Sequence, residues 1–253
     1  MKLLIKKIFR NKLSIFFRNL LGIRPSVFLL NLNKKNISVS DAFFWRTDQS
    51  YYTVFKFTDI LNLFLQDNTS EIEILFYDKN NKLIKEISLS NIEISNQLII
   101  DKNFFNGVED YGVFYIFHKS KNNIQSIIRN SCYTGYSFND SLPSFVHGNL
   151  ITSTKSYDGR IQEYGIVGTS SFKKRTYKVQ NFCKFDRTEI MIINPTKINL
   201  EIEVNSKNFL LKSCCSVIVD IGKDELIEIF SKCYLLRPIV FNYKNNFIDV
   251  YHG

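Results

Sequence analysis

Acidic side chains are absent from the first 40 residues, which hold Lys2, Lys6, Lys7, Arg10, Lys12, Arg18, Arg24, Lys34 and Lys35. These nine cations equal the net charge of +9, because the other 24 of the 33 Lys and Arg side chains are matched by 24 Asp and Glu. A neutral body offers no basic track for nucleic acid, so any acidic partner is expected at the N-terminus. Proline and glycine are scarce, at 4 and 10 residues, which excludes collagen-like and low-complexity classes. The five cysteines are an odd number and include the adjacent Cys214 and Cys215. Such a set does not suit an oxidised framework and points to a reducing compartment, the cytoplasm. Neither CxxC nor His-rich spacing marks a zinc site, and neither GxxxxGKS/T nor GxGxxG is present to cradle a phosphate, so no metal or cofactor is expected. No run of about 18 apolar residues exists to cross a bilayer, and charges interrupt the N-terminus too often for a secretory signal.

What the N-terminus does have is an amphipathic pattern. Ile5, Ile8, Phe9, Leu13, Phe16 and Leu20 fall on one broad helical face with Lys7, Asn11 and Arg18 opposite, and Gly22 and Pro25 supply stop signals. Such a helix is expected to lie on an anionic membrane through residues 1–24. Lys2, Lys6, Lys7, Arg10, Lys12 and Arg18 would sit at the headgroups, with Phe9, Phe16 and Phe17 below them. The competing expectations are a helix docked on the body through its apolar face, and an RNA-binding arm.

From Ile37 onward the pattern is one of short strands, and the 23 Phe and 13 Tyr favour β structure. Tyr52 to Phe57 alternates, Glu71 to Phe76 and Leu83 to Leu89 flank a polar turn as a hairpin, and Thr58 to Leu65 suits a short helix. Ser144-Phe145-Val146-His147-Gly148 and Asp249-Val250-Tyr251-His252-Gly253 share a His-Gly ending, and each follows a Cys-Tyr pair, Cys132-Tyr133 and Cys233-Tyr234. Overlaying EIEILFYDKNNKLIKEISL on EIMIINPTKINLEIEV aligns two hairpins at similar distances before these endings, which implies that one unit occurs twice. The expected fold is all-β, with a helical arm over 1–35 and two related β-sandwich lobes over 36–150 and 151–253. Ile151 to Lys178 reads as a connecting hairpin and loop, and its triplet Lys173-Lys174-Arg175 as a solvated turn.

The run Thr188-Glu189-Ile190-Met191-Ile192-Ile193-Asn194-Pro195, with the later Ser231-Lys232-Cys233-Tyr234-Leu235-Leu236-Arg237-Pro238, is similar to the β-sandwich of the sensory rhodopsin transducer family. The resemblance covers about 60 residues. It implies a scaffold for binding a small ligand or sugar and carries over no functional residue.

Two of the three histidines, His147 and His252, end the repeated units, and the strand ends of a sandwich are where sites gather. Asp140 and Asp249 precede them closely, and a carboxylate holding one ring nitrogen is what a general base or metal ligand requires. The alternative is two structural histidines bonded to backbone, with Gly148 and Gly253 letting the chain turn. As nucleophiles, Cys132, Cys233 and Ser144 lack a family-specific flank, and Glu109-Asp110 reads as a turn. Trp45, Arg46, Tyr133, Tyr234 and Arg237 are ligand-binding candidates, since aromatic faces stack on sugar rings; burial in the core is the competing reading. The expected function is a non-enzymatic accessory protein, peripheral on the inner face of the membrane, whose lobes bind a glycan or protein partner. The rival is an enzyme acting on cell-envelope carbohydrate with His147 or His252 as general base. Nucleic-acid binding through the arm comes third.

Overall fold

Alternation of apolar and polar residues, the period of a pleated strand, builds the chain after residue 36. The computed structural model describes residues 5, 8–9, 11–21, 37–90, 92–124, 126–130, 132–159, 162–164, 167–170, 172–181, 184–223 and 226–253, and over these it forms five four-stranded sheets. The all-β expectation holds.

Helix α1 (Lys12–Leu21) precedes β1 (Ile37–Asp41), β2 (Phe43–Arg46) and β3 (Tyr51–Thr58). Helix α2 (Ile60–Leu65) starts where the Asp59 carboxylate accepts the Asn62 N–H at 3.0 Å, an N-cap. The chain continues through β4 (Glu71–Asp78), β5 (Leu83–Ser90), β6 (Ser95–Ile100), β7 (Tyr111–Lys119), β8 (Ile127–Arg129), β9 (Tyr133–Phe138) and β10 (Ser144–His147). Then come β11 (Ile151–Ser156), β12 (Gln162–Tyr164), β13 (Arg175–Gln180), β14 (Arg187–Ile193), β15 (Leu200–Val204) and β16 (Lys207–Leu211). The last four are β17 (Ser216–Gly222), β18 (Leu226–Ser231), β19 (Ile239–Lys244) and β20 (Phe247–His252).

Sheets β2-β7-β4-β5 and β10-β9-β3-β6 enclose Phe43, Trp45, Phe55, Ile74, Phe76 and Phe114. Sheets β13-β18-β15-β16 and β20-β19-β14-β17 enclose Val179, Ile190, Ile202, Ile227 and Val240. With the four strands of the fifth sheet, β1, β8, β11 and β12, set aside, eight strands remain in each half, and counted in chain order they form the same two sheets, 1-6-3-4 and 8-7-2-5.

The details differ from the sequence expectation in two places. The Glu189–Asn194 and Leu200–Val204 runs do not pair as a hairpin, because β14 and β15 lie in different sheets; the counterpart of the β4–β5 hairpin is β15–β16. The fifth sheet, β12-β11-β1-β8, crosses the expected boundary at residue 150, since β11 pairs antiparallel with β1 of the first half. This sheet covers part of β7, whose Ile116 and His118 N–H groups donate to Ser40 and Ser38 at 2.9 Å each.

A third apolar core joins the halves. Phe44, Leu75, Val113 and Tyr115, on the outer face of β2-β7-β4, meet Met191, Ile193, Phe241, Tyr243 and Val250 of the second half, with Tyr51, Tyr136 and Val146 alongside. The halves therefore stack head to tail, the 1-6-3-4 sheet of the first against the 8-7-2-5 sheet of the second.

Candidate functional site

The stacking brings the ends of β10 and β20 together. Each His-Gly pair ends the eighth strand of its half at a sheet edge, opposite the first residue of the seventh strand: His147 pairs with Tyr133, and His252 with Ile239. The two imidazole centroids are 4.7 Å apart, with the rings tilted by 36°. His252 Nε2 donates to the His147 carbonyl at 2.8 Å, and His147 Nδ1 donates to the Gly148 carbonyl at 3.0 Å. The Val250 N–H adds a further tie by donating to Ser144 Oγ at 3.0 Å. Burial lowers the His252 pKa to about 4, opposed by the bond to the His147 carbonyl and reinforced by the nearby charges of Arg237 and His147. The ring is therefore neutral at pH 7.

Neither expected carboxylate orients these rings. Asp140 sits in the turn between β9 and β10, at the end of the hairpin opposite His147. Asp249 is three residues from His252 along β20 and so lies on the other face of the strand. Among the described residues the histidine that approaches a carboxylate is His118, whose Nδ1 is 4.0 Å from Asp59. Nor do the two glycines serve as turns. A Cβ on Gly148 would lie 2.6 Å from Asp41 Oδ2, and one on Gly253 would lie 2.5 Å from Val179 Cγ2, so close packing is what requires glycine at both.

Trp45 and Arg46 are fully buried and form no exposed platform. Trp45 belongs to the first core, and its Nε1 donates to the Tyr77 carbonyl at 2.9 Å. Arg46 ties the halves together: Nε and Nη2 bind the two Asp48 oxygens at 2.9 and 3.0 Å, and Nη1 binds Glu189 at 2.8 Å. The Tyr243 hydroxyl donates to the same Glu189 oxygen at 2.5 Å and accepts from Tyr51 at 2.7 Å. Burial alone would lower the Arg46 pKa, but the hydrogen bond and charge of Asp48 outweigh it and hold the guanidinium charged. A second buried network has Glu73 between Lys119 and Lys155. Burial would raise that carboxyl, yet the two lysines hold it below the usual range.

The other candidates scatter. Tyr133 is 53% exposed, on the outward face of the first 8-7-2-5 sheet beside Phe145 and Lys56. Tyr234 is half-buried under the Arg175 guanidinium at 4.7 Å. Arg237 donates to the Asn149 carbonyl at 3.2 Å near the histidine pair. Burial pushes the Cys132 and Cys233 thiols up, the latter to about 12, so neither supplies a thiolate at pH 7. Asp110 pairs with Lys79 at 2.9 Å. An open groove of about 380 Å³ outside β15 and β16, lined by Lys174, Glu201, Glu203, Asn208, Leu210 and Phe230, had no motif to announce it. His118 likewise went unsingled in the sequence; it is buried, with Nε2 accepting from Asn130 at 3.0 Å and a pKa lowered to about 4 by burial.

In the arm, Lys2, Lys6, Lys7 and Arg10 lie outside the described residues. Ile5, Ile8, Phe9, Leu13, Phe16, Phe17 and Leu21 are all exposed, Lys12 is exposed, and the Arg18 guanidinium lies 5.3 Å over the Phe9 ring. Among the described residues no helix is long and apolar enough to cross a membrane. The chain matches no protein-family model and no curated protein.

Proposed function

We propose that this protein is a non-enzymatic accessory protein held on an anionic membrane surface by its basic amphipathic arm, with two related β-sandwich units that bind a glycan or protein partner. The observation that carries this reading is the exposed apolar side of the arm, where Ile8, Phe9, Leu13, Phe16, Phe17 and Leu21 stand in solvent instead of against the sheets. Burying each large side chain in a membrane contributes about 1.5 kcal/mol or more, and each cation near an anionic leaflet about 1 kcal/mol. These terms suffice for reversible attachment after the cost of ordering the helix. Buried free thiols at Cys132, Cys214, Cys215 and Cys233 agree with a reducing compartment, and hence with the inner face of the membrane. The shared strand order and the matched His-Gly endings support an origin of the two units by duplication. Tyr133 and Phe145, beside Lys56, offer the ligand a contact face. Among the described residues no carboxylate bonds His147 or His252, which weighs against the general-base alternative.

The test is sedimentation with vesicles. The full-length protein pellets with anionic vesicles at low salt, less so at high salt and less with neutral vesicles. Leu13→Asp combined with Phe16→Asp releases it. Equal pelleting of that variant would remove the membrane assignment.

A further inference from the structure

We propose that His147 and His252 together bind a divalent transition-metal ion, such as zinc, nickel or copper, across the seam between β10 and β20. A backbone carbonyl can only accept a hydrogen bond, so the nitrogens facing the His147 and Gly148 carbonyls carry the ring protons. The lone pairs are thereby placed on His147 Nε2 and His252 Nδ1. Tying one ring N–H to a carbonyl is how metal-binding histidines are held in the ligating tautomer, and both rings have it here. His252 Nδ1 is a buried acceptor with no hydrogen-bond partner, a cost that a bound ion would relieve.

Distance permits the pair to act on one ion. Two nitrogens each about 2.0–2.1 Å from zinc are at most about 4.2 Å apart, and the ring centroids are 4.7 Å apart with His147 exposed. Imidazole nitrogen favours zinc, nickel and copper over calcium or magnesium. Among the described residues no third His, Cys, Asp or Glu completes the set, so water fills the remaining positions and the ion exchanges readily. Two cations lie nearby. Arg129 is neutralised by Asp41 at 2.9 and 2.6 Å, whereas Arg237 donates to the Asn149 carbonyl and its charge weakens the site. A bound ion would staple the first half to the second, because each half supplies one ligand.

Zinc chloride titrated into the full-length protein tests this by calorimetry and thermal melting. One ion binds per chain and raises the melting temperature until saturation. His147→Ala and His252→Ala each lower the affinity at least tenfold, while Asp249→Asn, on the far face of β20, leaves it unchanged. Absence of heat and of any melting shift up to millimolar zinc would overturn the proposal, as would unchanged affinity in either histidine variant. Should His252→Ala fail to fold, His147→Ala and the copper-loaded wild type decide. Paramagnetic resonance that counts two ligating nitrogens, one of them lost in His147→Ala, upholds the pair; one nitrogen or none in the wild type rejects it.

Discussion

On β19, Phe241 and Tyr243 fill the seam between the halves; at the matching positions of β9 the chain has Gly135 and Ser137. On the neighbouring strand, Glu189 and Met191 of the second half correspond to Val54 and Lys56 of the first. Backbone order is the same in both places, so it does not decide which sheet face becomes an interior. Side-chain volume and a captured charge do. Phe241 and Met191 supply buried apolar area, and Glu189 meets Arg46. At Gly135 the missing Cβ, which would lie 2.5 Å from Phe145, instead lets that ring lie flat on the sheet, while Lys56 keeps the face wet. One sheet face becomes a seam and its counterpart in the other half stays open.

The contrast breaks most sharply at Arg46. Arg46→Ala takes from the buried Glu189 one of its two guanidinium partners, Arg187 being the other, and leaves Asp48 unpaired; it costs about 3 kcal/mol, measured by urea unfolding followed through Trp45 fluorescence. The more exposed Arg187→Ala costs about 1 kcal/mol or less. A loss below about 1 kcal/mol at Arg46 would mean that the lock is ornamental. Phe241→Ala removes seam volume and costs about 3–5 kcal/mol, against about 1 kcal/mol for Phe145→Ala on the open face; similar losses would erase the difference between the faces. Smaller still is the acid response of buried His118. Its pKa is about 4 in the folded chain against 6.5 unfolded, so the unfolded state takes the proton first. The stability it supports is complete above pH 6.5 and is lost as pH falls from 6.5 to about 4, a change of about 3 kcal/mol at about 1.4 kcal/mol per unit. His118→Gln flattens that limb in pH-dependent melts. A limb unchanged by the substitution would place the sensitivity elsewhere.

Much of this was legible in the chain. Alternation located the β4–β5 hairpin, and the run Thr58 to Leu65 marked α2, whose Asp59 cap the structure supplies. The shared strand order of the halves is hinted at by the matching His-Gly endings, but the hairpin overlay sets the strands in the wrong register. Thr188–Asn194 and Leu200–Val204 look like a hairpin because both alternate around a Pro-Thr-Lys turn. The true hairpin turns at Asn205-Ser206, both at positive φ, 44° and 67°, which is the signature of a tight two-residue turn between paired strands. Trp45 and Arg46 suit both a ligand face and a core in the sequence, because an aromatic beside a cation looks the same whether it faces water or an interior.

The sequence by itself determined what depends on neighbours along the chain: the β class from its alternation, the amphipathic basic arm from its helical period, the short helix and the short turns. Tertiary structure alone decided that Arg46 meets Glu189, 143 residues away, and that His147 meets His252, 105 residues away. Those encounters follow from which sheet face found apolar volume to bury. That is a sum over strands far apart in sequence, and no local pattern records it.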